Sequence, residues 1–436
     1  MIKRPWSQEE VEYIIKRMKK GDSPQSFIQD FNKKFKNART VESVSMKGFR
    51  VLRDVKSGVF SKRTTAKDIA DQVEQDFNHQ RSHAEVALLK QKYKHALRDR
   101  DLQDTILALA ENCIKALPVV PPPKPFPKSA DPASEEDLVL LLSDIHAGEV
   151  VSAEELNDLN EYSFDICSQR LKYLSDSIRD ITKNKLNGYK FRKLVVFGLG
   201  DWVSGMIHEE LLEGQNGNIV DWTVNLSYIL SQMFTELLAD FENIEFVGIV
   251  GNHGRMHKKP RFKARYVNWD YICYQLLSMF LANQKRVKFT IPKSFWTLYE
   301  VNGHNFLLLH GDNIKSNLGI PWYGVQRIIA NLKELLEAKD QRFTYVCLGH
   351  FHNRGLLDRV KGELMINGSV IGGNEFSVGR MFTSSEACQH FFGVHKKKGT
   401  TFSFKLKLQH LPSDMPERPY KYAESEALGS LVKLLE

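Results

Sequence analysis

Leu138-Val-Leu-Leu-Leu142 runs without a break into Ser143-Asp144-Ile-His146-Ala-Gly148. Five consecutive large apolar residues predict a strand buried on both faces, as in a mostly parallel sheet. Ser143 to Gly148 then emerges at the carboxyl end of that strand, which is where ligands bind in open α/β sheets. Asp144 and His146 present a carboxylate oxygen and an imidazole nitrogen, both able to hold a divalent metal. Taken alone the pair is weak evidence, because an Asp at a strand end more often caps a turn.

The same construction recurs four more times. Leu194 to Phe197 leads into Gly198-Leu-Gly-Asp201, and Ile244 to Val250 into Gly251-Asn252-His253. Phe306 to Leu309 leads into His310-Gly-Asp312, and Tyr345 to Leu348 into Gly349-His350-Phe-His352. Glycine beside these endings lets backbone and ion approach closely. Turn capping does not generate five such endings in one chain. Between them lie helical stretches at Ser163–Lys185, Trp222–Phe241, Tyr266–Ala282 and Tyr323–Ala338, the alternation of an α/β layered domain. Short strands at Leu364–Ile366, Gln389–Val394 and Thr400–Leu408 are expected to finish the sheets.

The 436-residue chain has room for more than one domain. No apolar stretch approaches the roughly 20 residues of a membrane span, and Met1-Ile-Lys-Arg-Pro-Trp6 has no apolar run behind it to make a secretory signal. The cysteines (Cys113, Cys167, Cys273, Cys347, Cys388) lie far apart without a Cys-x-x-Cys pair. Reduced thiols in a cytoplasm are expected, with neither a disulfide frame nor a zinc knuckle. Residues 1–63 carry 16 Lys+Arg against 7 Asp+Glu, a formal +9, whereas the whole chain is +8. The basic excess is local, and a locally basic module favours a polyanionic partner.

Within that module Ser7-Gln-Glu-Glu10 has the form of a capping box, and Val11, Ile14, Ile15 and Met18 follow at helical spacing. Ser23-Pro24 restarts a second helix enclosing Phe27, Ile28, Phe31 and Phe35, and Thr40 caps a third with Val41, Val44, Phe49 and Leu52 inside. The other face of the third helix offers Ser43, Lys47, Arg50 and Arg53. Three short helices with a basic last one fit a helix-turn-helix that enters a DNA groove, or a protein-docking bundle with a solvated charged face. Trp6 and Arg39-Thr-Val-Glu-Ser-Val44 resemble the Myb/SANT family of such bundles, although the later tryptophans of that family are absent. The resemblance implies DNA contacts from Lys47 and Arg50. The chain thus divides into 1–60, the Myb-like module, and 61–117, a helical spacer with an apolar stripe. The spacer fits a homo-oligomerisation element through 65–117 or a hairpin packed on its own domain. A linker at 118–134 follows, with seven prolines between Pro118 and Pro132, then an α/β domain at 135–411 and a polar tail at 412–436 ending in a short amphipathic helix.

Asp144-x-His146, Gly200-Asp201, Gly251-Asn252-His253, His310 and Gly349-His350-x-His352, in this order and at intervals of some 40 to 60 residues, resemble the calcineurin-like metallophosphoesterase superfamily. The resemblance covers about residues 136–410 and implies a two-sheet sandwich flanked by helices around two divalent metal ions. It implies that Asp144, His146, Asp201 and His352 hold one ion. Asp201, Asn252, His310 and His350 would hold the other, with Asp201 shared and His253 donating a proton to the leaving oxygen. Carboxylate, amide and imidazole donors without thiolate suit Mn²⁺ first, with Fe, Zn²⁺ or Mg²⁺ as other candidates. A pair of such ions activates water for in-line displacement at phosphorus. Many members carry an acidic residue directly after Asn-His, or three residues after the Gly-Asp carboxylate, to orient the catalytic His. Here Gly254 and Ser204 stand there, leaving Asp312 as a substitute.

Arg255-Met-His-Lys-Lys-Pro-Arg-Phe-Lys-Ala-Arg265 places six basic residues in eleven directly after the Asn-His pair. Arg255, Lys258, Lys259, Arg261, Lys263 and Arg265 are expected to grip successive DNA phosphates. A solvated basic loop is the plainer alternative. Together with Asn367-Gly-Ser and Asn374-Glu-Phe, this stretch is similar to phage-encoded metallophosphoesterases, and less so to the related Mre11/SbcD nucleases. The expectation is a metal-dependent DNA nuclease, endo- or exonucleolytic, in a bacterial or phage-infected cytoplasm. The alternatives are a phosphatase or small-molecule phosphodiesterase with a protein-docking module, and a non-catalytic DNA-binding scaffold.

Overall fold

The computed structural model describes residues 6–36, 38–56, 107–111, 113–115, 117–125, 136–205, 207, 218–257, 259–314, 322–381 and 384–423. The chain divides into two compact units, Met1–Gln103 and Asp104–Glu436.

In the first unit, α1 (Gln8–Lys19) opens with the expected capping box. Ser7 Oγ accepts from the Glu10 N–H at 3.3 Å, and Glu10 Oε2 accepts from the Ser7 N–H at 2.8 Å. Pro24 starts α2 (Pro24–Phe35), and α3 (Val41–Lys56) begins after Thr40, whose Oγ1 accepts from the Ser43 N–H. Ile14, Phe27, Phe31 and Val44 form the core, and the Arg39 guanidinium sits 4.2 Å over the Trp6 ring. Phe49 is not inside: it is 63% exposed. The inner face of α3 runs through Val44 and Gly48, and a Cβ on Gly48 would lie 2.1 Å from Met18 Sδ. The next residue points about 100° further round the helix, into solvent.

The second unit is two sheets, one in the order β11-β10-β1-β2-β3-β4 and the other β5-β6-β7-β9-β8. The first holds β1 (Glu136–Leu142), β2 (Lys193–Gly198), β3 (Asn243–Gly248), β4 (Val287–Thr290), β10 (Cys388–His395) and β11 (Gly399–Lys407). Strands β1 to β4 are parallel, and β10 returns antiparallel along β1. The second holds β5 (Trp296–Val301), β6 (His304–Leu309), β7 (Tyr345–Leu348), β8 (Gly355–Asp358) and β9 (Glu363–Ile366). In it β6, β7 and β9 are parallel, with antiparallel edges.

The pleat of β1 shows why its sequence is apolar throughout. Leu138, Leu140 and Leu142 face a core beneath α4 (Phe164–Asp180), α5 (Ile219–Leu237) and α6 (Trp269–Phe280). Val139 and Leu141 face the other way and meet Phe306, Leu308, Cys347 and Met365 of the second sheet. On the far side of that sheet α7 (Trp322–Glu337) packs through Val325, Ile329, Leu332 and Leu336. Truncating a residue such as Leu140 in so closed a layer costs about 2–5 kcal/mol. The architecture is the α/β layered domain that the strand pattern predicted, in the two-sheet form flanked by helices that the family resemblance implied.

Much of the stretch expected to be a long helix over 65–117 lies outside the described residues, and so does the rest of the Pro-rich linker beyond 125. Leu109, Ala110, Cys113 and Leu117 pack against the α/β core, and the Tyr228 hydroxyl donates to the Pro118 carbonyl at 2.7 Å. At the other end Tyr420 is buried, and Ala423 exchanges two hydrogen bonds with Asn225. The polar tail is part of the domain up to that point. Its terminal helix falls outside the described residues.

Candidate metal centre

The loops after β1, β2, β3, β6 and β7 converge at one edge of the sandwich. Asp144, His146 and His352 place ligand atoms within 4.8 Å of one another, and so do Asp201, His310 and His350. Asn252 joins the second group through Oδ1, 3.1 Å from His310 Nε2, and Asp201 Oδ2 lies 3.0 Å from the same nitrogen. His146 Nε2 and His352 Nε2 face each other at 3.1 Å. His146, Asp201 and His253 form a third cluster, in which the Asp201 carboxylate links the two sides. Every residue expected at the metal sites is thus in one place.

The donor set fits divalent cations on chemistry as well as position. His310 Nδ1 lies 2.7 Å from the Leu199 carbonyl, which accepts its proton, so Nε2 is the nitrogen that faces Asp201 and becomes a cation ligand once its own proton is displaced. A backbone carbonyl that fixes the tautomer in this way is the usual support of a metal-binding imidazole. Asp144 accepts from the His350 N–H at both oxygens and from Ser143 Oγ, and Asp201 Oδ1 accepts from the His253 N–H at 2.7 Å. The backbone is bent to bring these groups in. Asp144, His146, Asp201, His350 and His352 all have φ between 52° and 70°, the left-handed region that non-glycine residues rarely occupy. Gly200 and Gly251 permit the close approach of the β2 and β3 loops: a Cβ on Gly251 would lie 2.1 Å from Asp201 Oδ1.

Protonation follows from this crowding. Burial pushes the His146 imidazole down, but Glu149 and the site carboxylates outweigh it and raise the group to about 9. Burial likewise opposes, and Asp201 overcomes, the rise of His310 to about 10. Both therefore hold protons at pH 7 in the metal-free protein, and a cation must displace them. Metal binding is expected to release up to two protons, so log K rises with pH by as much as about two per unit between pH 7 and 9. Mn²⁺ titrations across that range test it. A flat affinity would show that the two imidazoles are already neutral at pH 7 or take no part in binding.

Two supporting carboxylates were not foreseen. Asp270, buried in the first turn of α6, takes the N–H groups of Asp201 and Gly251 at 2.9 Å on Oδ2, and those of Trp202 and Val203 on Oδ1. It ties the β2 and β3 loops together and so positions both Asp201 and Asn252. Burial and the neighbouring Asp201 push its carboxyl up to about 6. The sequence signal was Asn268-Trp-Asp270, a helix start whose Asn268 side chain caps α6 and also donates to Gly251 O. Glu149 lies 3.4 Å from His146 Nδ1 and accepts from Ser204 Oγ and Asn374 Nδ2. Asp312, expected to act on His253, instead pairs with Arg265. The carboxylates acting on His253 are Asp201 and Glu149, so Glu149 occupies the region that Ser204 leaves without a charge. His253 itself sits edge-on to His146, ring centroids 4.5 Å apart.

Of the basic residues expected at nucleic acid, Arg255, Lys259, Arg261, Lys263 and Arg265 line one cavity with Asn252. Arg265 is less available than the sequence suggested, its side chain being only 14% exposed and paired with Asp312. Lys258 lies outside the described residues. In the separate N-terminal unit, Arg50 is exposed on α3 and Lys47 is half-buried.

Residues 138–354 match the family model of the calcineurin-like phosphoesterases, and the chain carries a metallophosphoesterase domain of that family. This family uses divalent metal ions, and the clustered donors are candidate ligands for them. No curated protein matches the sequence. Among solved structures it is similar to an archaeal phosphodiesterase, with 10% identity, 62% of this chain and 99% of that one covered, and a TM-score of 0.29. It is similar to the zinc complex of Vps29 from Entamoeba histolytica at 12% identity, 62% and 99% coverage and a TM-score of 0.25. A hypothetical protein of Pyrococcus horikoshii gives 12% identity, 62% and 88% coverage and a TM-score of 0.31.

Proposed function

We propose that this protein is a metal-dependent phosphodiesterase that hydrolyses DNA. The observation that carries the reading is the row of Lys and Arg side chains lining a cavity that shares Asn252 with the metal-ligand cluster. A phosphatase for a small monoester has no use for so wide a cationic wall, whereas a polyanionic chain does. Asp144, His146 and His352 would hold one ion and Asn252, His310 and His350 the other, with Asp201 shared. Mn²⁺ is the first candidate, ahead of Fe, Zn²⁺ and Mg²⁺. When bound, the ions supply Lewis acidity toward water and the phosphoryl oxygens. The chain's own part is to hold that geometry through Asp270 and the Leu199 carbonyl, and to place His253 as proton donor to the leaving oxygen. The free, mostly buried cysteines fit a cytoplasmic setting in a bacterium or phage-infected host.

The N-terminal unit would deliver the catalytic domain to DNA through the basic side of α3. A specific observation favours a second reading of this unit: α3 exposes Met46 (70%) and Phe49 (63%) beside Arg50, a mixed face suited to docking a protein. One experiment addresses both proposals. Full-length protein and a chain lacking residues 1–60 are given Mn²⁺ with circular and linear duplex DNA and, separately, bis(p-nitrophenyl) phosphate. Nicking of the circle would establish internal cleavage. Deletion is expected to weaken DNA binding severalfold while sparing the small diester. Equal DNA affinity in both chains would leave protein docking as the role of the bundle, and metal-dependent hydrolysis of the small diester with no cut DNA would sink the nuclease reading.

A further inference from the structure

The cavity beside the metal-ligand cluster has a volume of about 140 Å³ and is walled by Asn252, Arg255, Lys259, Arg261, Lys263 and Arg265. That is under the roughly 300–1,000 Å³ that encloses a drug-sized ligand, yet well above the roughly 10–15 Å³ that holds a single water. A phosphate group fits this range. The carboxylate in the wall, Asp312, is already engaged by Arg265, and the other charged groups of the lining are Lys and Arg. Arg265 Nε is buried and meets no acceptor among the described residues, a donor of the kind that a bound anion satisfies. Arg255 is braced by the carbonyls of Asn252 and His257, which aims it rather than leaving it to solvent. On the same loop Phe262 is 83% exposed.

We propose that this cavity is a subsite for a second phosphate, the one adjoining the diester at the metal-ligand cluster, and that Phe262 stacks on an unpaired base of the same strand. The proposal rests on the reading of the protein as a DNA phosphodiesterase and adds its preferred substrate: a single-stranded or frayed stretch contacted through at least two consecutive phosphates. Arginine-rich grooves with an exposed aromatic recognise single strands in this way, because every base has a face to stack while a paired base hides it. Asn252 belongs to both places, which makes the two phosphates neighbours along the chain.

The test compares the thymidine dinucleotide TpT, with one phosphate, and the trinucleotide TpTpT, with two, as inhibitors of bis(p-nitrophenyl) phosphate hydrolysis in Mn²⁺. The readout is the ratio of their Ki values within each protein, so a change in overall activity cancels. In the wild type TpTpT is expected to inhibit about tenfold or more tightly than TpT, beyond the roughly twofold that counting equivalent sites allows. Its log Ki should depend on log salt more steeply, by about 0.7. In Arg261→Ala/Lys263→Ala the ratio collapses toward the counting value, and in Phe262→Ala it falls about fivefold. A ratio at the counting value in the wild type, or one untouched in the double variant, overturns the subsite. Failure of the underlying reading looks different: the inhibition ratio stays high while neither TpTpT nor DNA is cut.

Discussion

Asp201→Ala is expected to lower metal-dependent phosphodiester hydrolysis by about a thousandfold or more, several kcal/mol of lost charge stabilisation. The size follows from its place. Its carboxylate stands 3.0 Å from His310 Nε2 and in one cluster with His146 and His253, so it is the group common to both halves of the site. Its Oδ1 also takes the His253 N–H, and its own N–H is held by Asp270, so the substitution disturbs the position of the proton donor as well. Nearby His310, His253 and His146 outweigh burial and hold its carboxyl well below the ordinary range, so it is anionic wherever the protein is folded and active. Asp201→Asn separates shape from charge, keeping an acceptor for His253 while removing the anion. Both variants should lose Mn²⁺ affinity along with activity. Either one retaining a tenth of the wild-type rate at saturating metal would show that Asp201 is not the shared ligand.

His253→Ala is expected to cost about 10²–10⁴-fold on DNA, with Mn²⁺ affinity largely kept. A sugar alkoxide is a poor leaving group and needs a proton as it departs, whereas p-nitrophenolate leaves without one. The same variant should therefore lose less than about tenfold on bis(p-nitrophenyl) phosphate. Burial pushes the imidazole down to about 3 against the pull of Asp201 and Glu149, so it rests neutral at pH 7. An anionic phosphodiester set against it works the other way and favours the charged, donating form. Equal losses on the two substrates would mark His253 as a positioning group or a ligand and remove it as the acid.

The clustering of the candidate ligands was legible because each is written locally. A buried strand must be apolar, its carboxyl end must meet the site, and the glycines that admit close approach stand in the same few residues. Asp270 was not legible because its work is done at a distance, on the backbone of a residue 69 positions earlier. Glu149, though only three residues from His146, is held there by Ser204 and Asn374, 55 and 225 positions away. The strands β4, β5 and β8 were missed for another reason. They lie at sheet edges with side chains half-buried or exposed except at Val301, so their sequences resemble loops. Phe49 was placed inside its bundle on hydrophobicity, where the inner position is taken by a glycine against Met18. Glycine on a core face is invisible to any pattern built on apolar side chains.

The five left-handed residues at the site bear on the chain's history as well as its chemistry. Each such conformation costs about 1 kcal/mol or more in a residue with a side chain, and five together rival a domain's whole margin of about 5–15 kcal/mol. Glycine would relieve that cost at any of Asp144, His146, Asp201, His350 and His352 while deleting a ligand. Selection for stability alone would thus favour glycine at these positions and an inert fold. A lineage freed from selection for hydrolysis would slide that way, so the intact set of Asp and His here is what continued use would preserve.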